Sequence, residues 1–262
     1  MTAILGVTGL SRSFGSVRAL AGVDLEVDGG ELLGIIGPNG CGKTTLFNCI
    51  SGRMRPSGGT VRWQGEEITG WKMERVARSG LVRTFQESMV FPSATVRGNL
   101  EMAVMIAESH RGRDADQAGS APAGVDELLE FSGLEEVSDT PTTSLPFGSV
   151  RLLGIAMTLS VGPQLLMLDE PAAGLNAAEG KQLAEFLVRL HDAGITLCVV
   201  DHDMDFLLPL VERVIVLAGG EKLREGDPIE VSRDPAVIEV YLGRGAVREA
   251  NGEPREREGG HV

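Results

Sequence analysis

Four short apolar runs dominate the hydrophobic pattern of the chain. They are LLGII at 32–36, LLMLD at 165–169, ITLCVV at 195–200 and RVIVLA at 213–218. Continuous apolar runs of this length, separated by helical patterns and glycine turns, are typical of strands that are buried on both faces. The pattern therefore predicts an α/β fold with a mostly parallel sheet.

The region from about residue 72 to residue 160 interrupts this alternation. Helical periodicity is visible around Val96–Ala107 and Val125–Phe131, and no strong strand pattern follows the first twenty residues of the region. We therefore expect a mainly helical subdomain here, inside a single domain that spans residues 1–243.

Two polar segments stand apart from these elements. Residues 108–124 are polar, small and proline-containing, which predicts a mobile connector within the helical region. Residues 244–262 carry almost no large apolar side chains, so we expect a disordered tail.

Composition narrows the range of partners. The formal net charge of -13 over 262 residues argues against broad attraction to nucleic acid or to anionic lipid. The longest apolar stretches, such as Leu152–Val161, fall short of the ~18 residues that a spanning helix needs. The N-terminus lacks the pattern of a secretory signal. The three cysteines, Cys41, Cys49 and Cys198, lack the C-x-x-C spacing of a metal or redox site. We therefore expect a cytoplasmic chain with reduced, structural thiols, whose membrane association goes through a protein partner.

The motif with the most specific chemistry is GPNGCGKT at 37–44, which matches the phosphate-binding pattern G-x-x-x-x-G-K-[ST] between a strand and a helical run. Glycines let backbone N–H groups wrap around phosphate, and the following helix adds its positive end. Lys43 can reach the β and γ phosphates, and the Thr44 hydroxyl can ligate Mg²⁺. The nucleotide-binding residues expected from this loop are Gly37, Pro38, Asn39, Gly40, Cys41, Gly42, Lys43, Thr44 and Thr45.

Acidic and imidazole groups follow two of the other strands. The run LLMLDE at 165–170 ends in two carboxylates at the edge where parallel sheets place ligand groups. Asp169 can hold Mg²⁺, usually through water, and Glu170 can polarise an attacking water as a general base. Because the chain turns at the end of a strand, both carboxylates can face the nucleotide. His202 follows ITLCVV and emerges at the same edge, where it suits contact with the γ-phosphate.

The order of these motifs resembles the nucleotide-binding domain of ABC transporters over roughly residues 4–243. The resemblance implies a P-loop NTPase core of the ABC ATPase type, with an N-terminal antiparallel β region and a helical signature subdomain. It also implies that ATP is the nucleotide, with Mg²⁺ as its metal.

Further roles come from the resemblance alone. It implies that Phe14 lies against adenine and that Gln86 is the Q-loop glutamine, which touches Mg²⁺ and the attacking water. The implied catalytic residues are Glu170, His202, Gln86 and Lys43, and the implied metal ligands are Thr44, Gln86 and Asp169. The implied signature, which faces the opposite site, is Leu145, Pro146, Phe147, Gly148 and Ser149, and the implied D-loop is Ala173, Gly174, Leu175 and Asn176.

Three strings resemble one subfamily in particular, the ATP-binding subunits of branched-chain amino acid importers. They are DEPAAGLN at 169–176, DHDMDFL at 201–207 and DPAVIEVYLG at 234–243. The resemblance implies uptake of hydrophobic amino acids or of related amides and urea-like solutes. The implied partners are two transmembrane permease subunits, a second copy or a second ABC ATPase, and, indirectly, an extracytoplasmic binding protein. The chain would then lie on the inner face of the cell membrane.

The signature departs from the family pattern, because Pro146 lacks a hydroxyl group and Ser149 replaces glutamine. An alternative hypothesis is therefore a non-catalytic or weakly catalytic half of a heterodimer. A GTPase or small-molecule kinase is disfavoured by the absence of N-K-x-D and by the Glu170–His202 pair. An ABC ATPase of DNA repair or translation is disfavoured by the acidic charge and by the lack of long heptads or zinc-binding cysteines.

Overall fold

The computed structural model describes residues 3–84, 90–110, 122 and 124–242, and these residues form two sheets flanked by helices. The strands are β1 (Ala3–Phe14), β2 (Val17–Asp28), β3 (Leu32–Ile36), β4 (Gly58–Trp63), β5 (Glu66–Glu67), β6 (Leu81–Arg83), β7 (Leu165–Asp169), β8 (Thr196–Val200), β9 (Arg213–Ala218) and β10 (Glu221–Gly226). The helices are α1 (Lys43–Ile50), α2 (Met73–Arg78), α3 (Val96–His110), α4 (Val125–Ser132), α5 (Phe147–Leu159), α6 (Ala177–Asp192), α7 (Met204–Leu207), α8 (Pro228–Ser232) and α9 (Pro235–Leu242).

The smaller sheet has the order β2-β1-β4-β5, and all of its pairs are antiparallel. Along β2 the apolar side chains of Val23, Leu25 and Val27 are buried in alternation with more exposed neighbours, because successive residues of a strand face opposite sides. The expected N-terminal antiparallel region is thereby confirmed.

The larger sheet has the order β10-β9-β3-β8-β7-β6. Its strands pair in parallel from β9 to β6, and β10 is added by an antiparallel hairpin. The strands β3, β7 and β9 begin and end where the apolar runs predicted, and every residue of β3, β7 and β8 is buried. The predicted, mostly parallel sheet is confirmed.

Layers on both faces of this sheet explain why its strands are apolar throughout. On β3, Leu32 and Ile36 pack into a core with helices α3 to α6, whereas Leu33 and Ile35 pack toward α1 and the smaller sheet. The same alternation on β7 places Met167 on the side of α1. Asp169, two residues further along the strand, is therefore expected on that side too.

The region between residues 72 and 160 contains the helices α2 to α5. The helices predicted around 96–107 and 125–131 are confirmed as α3 and α4. The structure also places β6 within the region, paired with β7 at the edge of the larger sheet. Residues 85–89, 111–121, 123 and 243–262 lie outside the described residues, and with them Gln86, most of the predicted connector and the predicted tail.

Nowhere in the described ranges does a helix combine the length and the apolar character that a membrane crossing requires.

The parallel strands bring the predicted site residues to one edge. The registers pair Ile35 of β3 with Val200 of β8, and Val200 with Asp169 of β7. Because these strands run in the same direction, their carboxyl ends lie side by side. The loop after β3, the end of β7 and the segment after β8 therefore meet at one place.

Candidate functional site

A glycine-rich loop connects β3 to α1, and its backbone passes too close to neighbouring strands for larger residues. A Cβ atom at Gly37 would lie 2.2 Å from the carbonyl oxygen of Leu217, and one at Gly42 would lie 2.5 Å from that of Ala19. Both glycines also have positive φ angles. The motif glycines are thus required by the way the loop is held against β2 and β9.

The amino end of α1 offers backbone donors to an anion. The helix begins after Gly42 without a side-chain cap and carries no acidic residue in its first turn. Its first N–H groups have no partner within the helix, and the helix dipole adds positive charge there. Thr44, in this first turn, is exposed. This arrangement suits a phosphate group.

Lys43 supplies the cation of the loop. Its Nζ donates to the carbonyl oxygens of Gly37, at 2.6 Å, and Pro38, at 3.1 Å, so the buried lysine lies within the loop itself. The thiol of Cys41 lies 3.9 Å from the same Nζ, and burial raises the pKa of this thiol. All three cysteines are free and buried, which confirms the prediction of structural thiols.

The two carboxylates at the end of β7 have different surroundings. Asp169 is buried, and its Oδ2 accepts from Nη2 of Arg83 at 2.6 Å, whereas its Oδ1 has no hydrogen-bond partner in the described part of the chain. Glu170 has a φ of +48°, so the chain leaves the strand direction at this residue. Its side chain is partly exposed, with 20% of its surface accessible.

His202 is brought to Glu170 by the parallel pairing of β7 with β8. Its Nδ1 lies 3.8 Å from Oε1 of Glu170, and half of its side chain is exposed. The buried Asp201 accepts from the backbone N–H groups of His202, at 2.8 Å, and Asp203, at 3.0 Å, and its Oδ2 accepts from that of Ala172, at 3.3 Å. Asp201 therefore ties the histidine segment to the turn that follows Glu170.

The predicted signature residues form the start of α5 and contact the chain's own D-loop region. The N–H of Gly148 donates to Oε1 of Glu179 at 2.8 Å, and a Cβ at Gly148 would lie 2.7 Å from Cγ of Glu179. The Oε2 of Glu179 accepts from the N–H of Asn176, which caps α6. The N–H donors of Asn176 and Gly148 hold the pKa of Glu179 below its ordinary value. One carboxylate thus joins the two segments.

Contacts of Phe147 and Arg151 strengthen this junction. The Phe147 ring lies beside Gly174, and the guanidinium carbon of Arg151 lies 5.4 Å from the centre of that ring. Arg151 also donates to the carbonyl oxygen of Ala173. Of the predicted residues, Pro146, Phe147, Gly174 and Asn176 are exposed, and Leu145, Ser149 and Leu175 are partly buried.

Phe14 lies at the end of β1, where it pairs with Val17 of β2. Its ring is 45% exposed and lies 4.9 Å from the guanidinium carbon of Arg12. The strand β2 continues to Ala19, which packs against Gly42. The hairpin that carries Phe14 is therefore anchored beside the phosphate loop, the glycine-rich segment 37–42 between β3 and α1.

Comparisons with known proteins agree with this geometry. A family model described as "ABC transporter" matches residues 20–173, which is more than half of the chain, and one described as "Branched-chain amino acid ATP-binding cassette transporter" matches residues 222–249. The chain is 38% identical over 254 residues to the high-affinity branched-chain amino acid transport ATP-binding protein BraF of Pseudomonas aeruginosa, an alignment that covers 92% of this chain and 98% of the relative. It is 36% identical over 253 residues to LivG of Escherichia coli, with the same coverage of both chains.

The chain belongs to the ABC transporter ATP-binding proteins of the branched-chain amino acid transporter family. Among solved structures, it resembles the ADP conformation of MJ1267, an ATP-binding cassette of an ABC transporter, with a TM-score of 0.81 and 29% identity, covering 93% of this chain and all of that one. The predicted ABC ATPase fold and the prediction of an ATPase are both confirmed.

As an ABC ATPase, the chain binds ATP, and the phosphate loop fits that ligand. The uncapped amino end of α1, the close-packed glycines and the buried Lys43 all favour a polyphosphate at this edge. Glu170 and His202 lie at the same edge, as the sequence predicted.

Three residues of this ABC ATPase were not singled out from the sequence for the contacts they make. Arg83 pairs with Asp169, Glu179 bonds to Gly148, and Asp201 connects two loops. A sequence signal exists only for Glu179, which stands three residues after Asn176 in the pattern of a capping box. The other contacts depend on strands that come together only in the folded chain.

Proposed function

We propose that this ABC ATPase hydrolyses Mg-ATP to drive uptake of branched-chain or other hydrophobic amino acids, or of related amides and urea-like solutes. The observation that carries the hydrolytic part is the approach of His202 to Glu170, 3.8 Å apart, beside the phosphate loop. The class of solute is supported by the match of residues 222–249 and by the names of the relatives, BraF and LivG.

Each residue of the site has a distinct task in this proposal. The loop N–H groups and Lys43 bind the phosphates, and Glu170 accepts a proton from the attacking water. His202 contacts the γ-phosphate and holds it in line with that water. Phe14 stacks against adenine, and Gln86, to which the resemblance assigns contact with Mg²⁺ and the attacking water, lies outside the described residues.

The residues present also fit Mg²⁺, which would supply charge neutralisation at the phosphates. Thr44 and Asp169 are the proposed ligands, because Mg²⁺ prefers oxygen donors and Oδ1 of Asp169 is buried without a hydrogen-bond partner among the described residues. The described ranges contain no group of three or more His, Cys, Asp or Glu side chains that could hold a metal ion. Phosphate oxygens and water would therefore complete the coordination.

The chain is part of an ABC transporter complex. We propose that it binds two transmembrane permease subunits on the cytoplasmic face of the membrane, and that an extracytoplasmic binding protein delivers the solute to them. Solute choice would then be a property of the other chains, and nucleic acid would not be a partner.

Uptake in proteoliposomes tests this function. The complex containing this chain, purified with its permease subunits, is reconstituted with ATP inside, and entry of radiolabelled leucine, isoleucine and valine is measured. We expect uptake that requires both ATP and the binding protein. Entry of a sugar or a metal ion, but of none of these amino acids, would contradict the proposed solute class.

A second candidate function is that of a non-catalytic or weakly catalytic half paired with a different ATPase. It is favoured by the altered signature at Pro146 and Ser149 and by the Glu179 carboxylate, which already accepts the N–H of Gly148. A carboxylate at the amino end of α5 repels the phosphate of an opposite ATP. The signature of this chain would then serve its partner's site poorly, and hydrolysis at that site would be weak.

The solution mass of the Glu170→Gln chain, with and without Mg-ATP, distinguishes the two arrangements, because blocking hydrolysis stabilises a closed dimer. If the signature is impaired, the chain stays monomeric with Mg-ATP and dimerises only after a second ABC ATPase is added. An ATP-dependent dimer of this chain alone would establish that its signature functions, and would contradict the heterodimer.

A further inference from the structure

Arg83 lies three residues before Gln86 in the sequence. It belongs to none of the motifs described above, so the motifs assign it no role in nucleotide hydrolysis. It ends β6, where it pairs in register with Met167 of β7. Asp169 lies two residues beyond Met167 and therefore on the same face of the sheet. The Arg83 side chain needs only to extend along the strand to reach that carboxylate.

The contacts of Arg83 connect three elements of the site. Nη2 donates to Oδ2 of Asp169 at 2.6 Å on β7, and Nη1 donates to Oδ1 of Asn48 at 2.7 Å on α1. The guanidinium carbon lies 5.6 Å from the centre of the Phe47 ring, also on α1. The Arg83 side chain is only 6% exposed, and that of Asp169 is 2% exposed. The helix that follows the phosphate loop is thereby linked to the acidic strand.

The two oxygens of Asp169 are made unequal by this arrangement. Oδ2 is occupied by the guanidinium, and Oδ1 is buried with no hydrogen-bond partner among the described residues. A guanidinium is planar and its donors are fixed in direction, so two simultaneous bonds restrict both its position and its rotation. A carboxylate held through one oxygen presents the other in a defined direction.

A lysine at position 83 would not do the same. Its ammonium could neutralise Asp169, but a single nitrogen on a flexible stem cannot impose the fork that reaches both Asp169 and Asn48. Charge neutralisation and orientation are therefore separable by substitution. The presence of both bonds favours orientation as the function of Arg83.

We propose that Arg83 is a positioning residue for the metal of the site: it holds Asp169 through Oδ2, ties it to α1 through Asn48, and leaves Oδ1 to face Mg²⁺. The inference rests on the proposed function in that Asp169 is taken as a metal ligand. Groups that orient metal ligands in this way change metal affinity about 10-fold to 100-fold when they are removed.

Titration of Mg²⁺ into the nucleotide complex tests the proposal. Binding of a fluorescent ATP analogue is measured in EDTA and then at increasing Mg²⁺ in the wild-type chain, in Arg83→Met and in Arg83→Lys. In both variants we expect the Mg²⁺ concentration at the midpoint of the metal-dependent change to rise at least about tenfold. The affinity for the ATP analogue in EDTA should stay within about twofold of the wild-type value. An unchanged Mg²⁺ requirement in Arg83→Met would overturn the proposal.

Arg213→Met is the matched control, because it also removes an arginine from an ion pair with a buried glutamate, Glu31. Arg213 begins β9, at the opposite edge of the sheet from the site. We expect this control to lower the melting temperature without changing the Mg²⁺ titration. A shift of the titration equal to that of Arg83→Met would mean that loss of stability alone explains the effect, and would overturn the proposal.

A metal-free measurement separates this inference from the proposed function. The melting temperatures of Arg83→Lys, Asp169→Asn and the double variant are compared with wild type in EDTA, where no metal contributes. Because the two side chains are in direct contact, we expect the double variant to lose clearly less melting temperature than the sum of the two single losses. Additive effects would overturn the positioning role, even if the Mg²⁺ assignment were correct. If the effects of the two substitutions are strongly coupled but nucleotide binding does not depend on Mg²⁺, Asp169 is not a metal ligand. That result would also overturn this proposal.

Discussion

Replacement of Glu170 by glutamine is expected to abolish ATP turnover while ATP still binds. Glutamine has nearly the size and shape of glutamate but cannot accept the proton of the attacking water. Removal of a general base lowers the rate about 10²-fold to 10⁴-fold. We expect ATP still to bind, because the substitution leaves the glycine-rich loop, the amino end of α1 and Lys43 unchanged.

The measurement is phosphate release by the assembled transporter, together with ATP binding at equilibrium. Glu212→Gln is a suitable control, because Glu212 is an exposed acid just before β9, at the other edge of the sheet. It removes the same charge and should leave turnover within about twofold, as is usual for surface substitutions. Unchanged hydrolysis in Glu170→Gln would mean that the site of this chain does not catalyse turnover in the complex, and would support the non-catalytic alternative.

The larger sheet was predictable because its strands are buried on both faces. Runs such as LLGII and LLMLD are apolar without interruption, so that β3 and β7 begin and end where the sequence indicated. The strands β1 and β2 gave a weaker signal, since alternation in β2 is regular only from Val23 to Val27, and register shifts between Val7 and Leu10 and elsewhere break it in the rest of the pair. Their antiparallel pairing was predicted only through resemblance to ABC transporters.

The candidate site was predictable where its chemistry is local in sequence. Glu170 directly follows β7, His202 lies two residues after β8, and Lys43 follows β3 across one short glycine-rich loop, so parallel pairing brings them to one edge. The partner of Asp169 was not predictable in this way, because Arg83 stands 86 positions earlier in the chain. The helices α3, α4 and α5 lie between it and β7. Likewise, Glu179 is 31 positions from Gly148, and only the packing of α6 against α5 brings them together.

Replacement of Gly42 by alanine is expected to destabilise the fold and to weaken ATP binding at the same time. The new Cβ would lie 2.5 Å from the carbonyl oxygen of Ala19 and 3.0 Å from Cδ2 of Leu20, in a backbone with a φ of +111°. Steric overlap and left-handed strain each cost about 1 to 3 kcal/mol, so the free energy of unfolding should fall by roughly 2 to 6 kcal/mol. Because Gly42 is the residue from which α1 begins, relief of the overlap must move the phosphate-binding end of the helix.

Gly40→Ala is the matched control within the same loop. Gly40 also has a positive φ, of +78°, but a Cβ there would meet no atom within 4 Å. Only the conformational strain remains, so we expect a loss of about 1 to 2 kcal/mol. Urea unfolding measures both variants, and ATP binding is then compared at a temperature where each is folded. If the close packing of the loop against β2 sets its shape, Gly42→Ala loses at least about tenfold more ATP affinity than Gly40→Ala, since a displacement near 1 Å is enough for effects of that size. Equal losses in the two variants would instead mean that backbone conformation alone, and not contact with β2, determines how the loop holds phosphate.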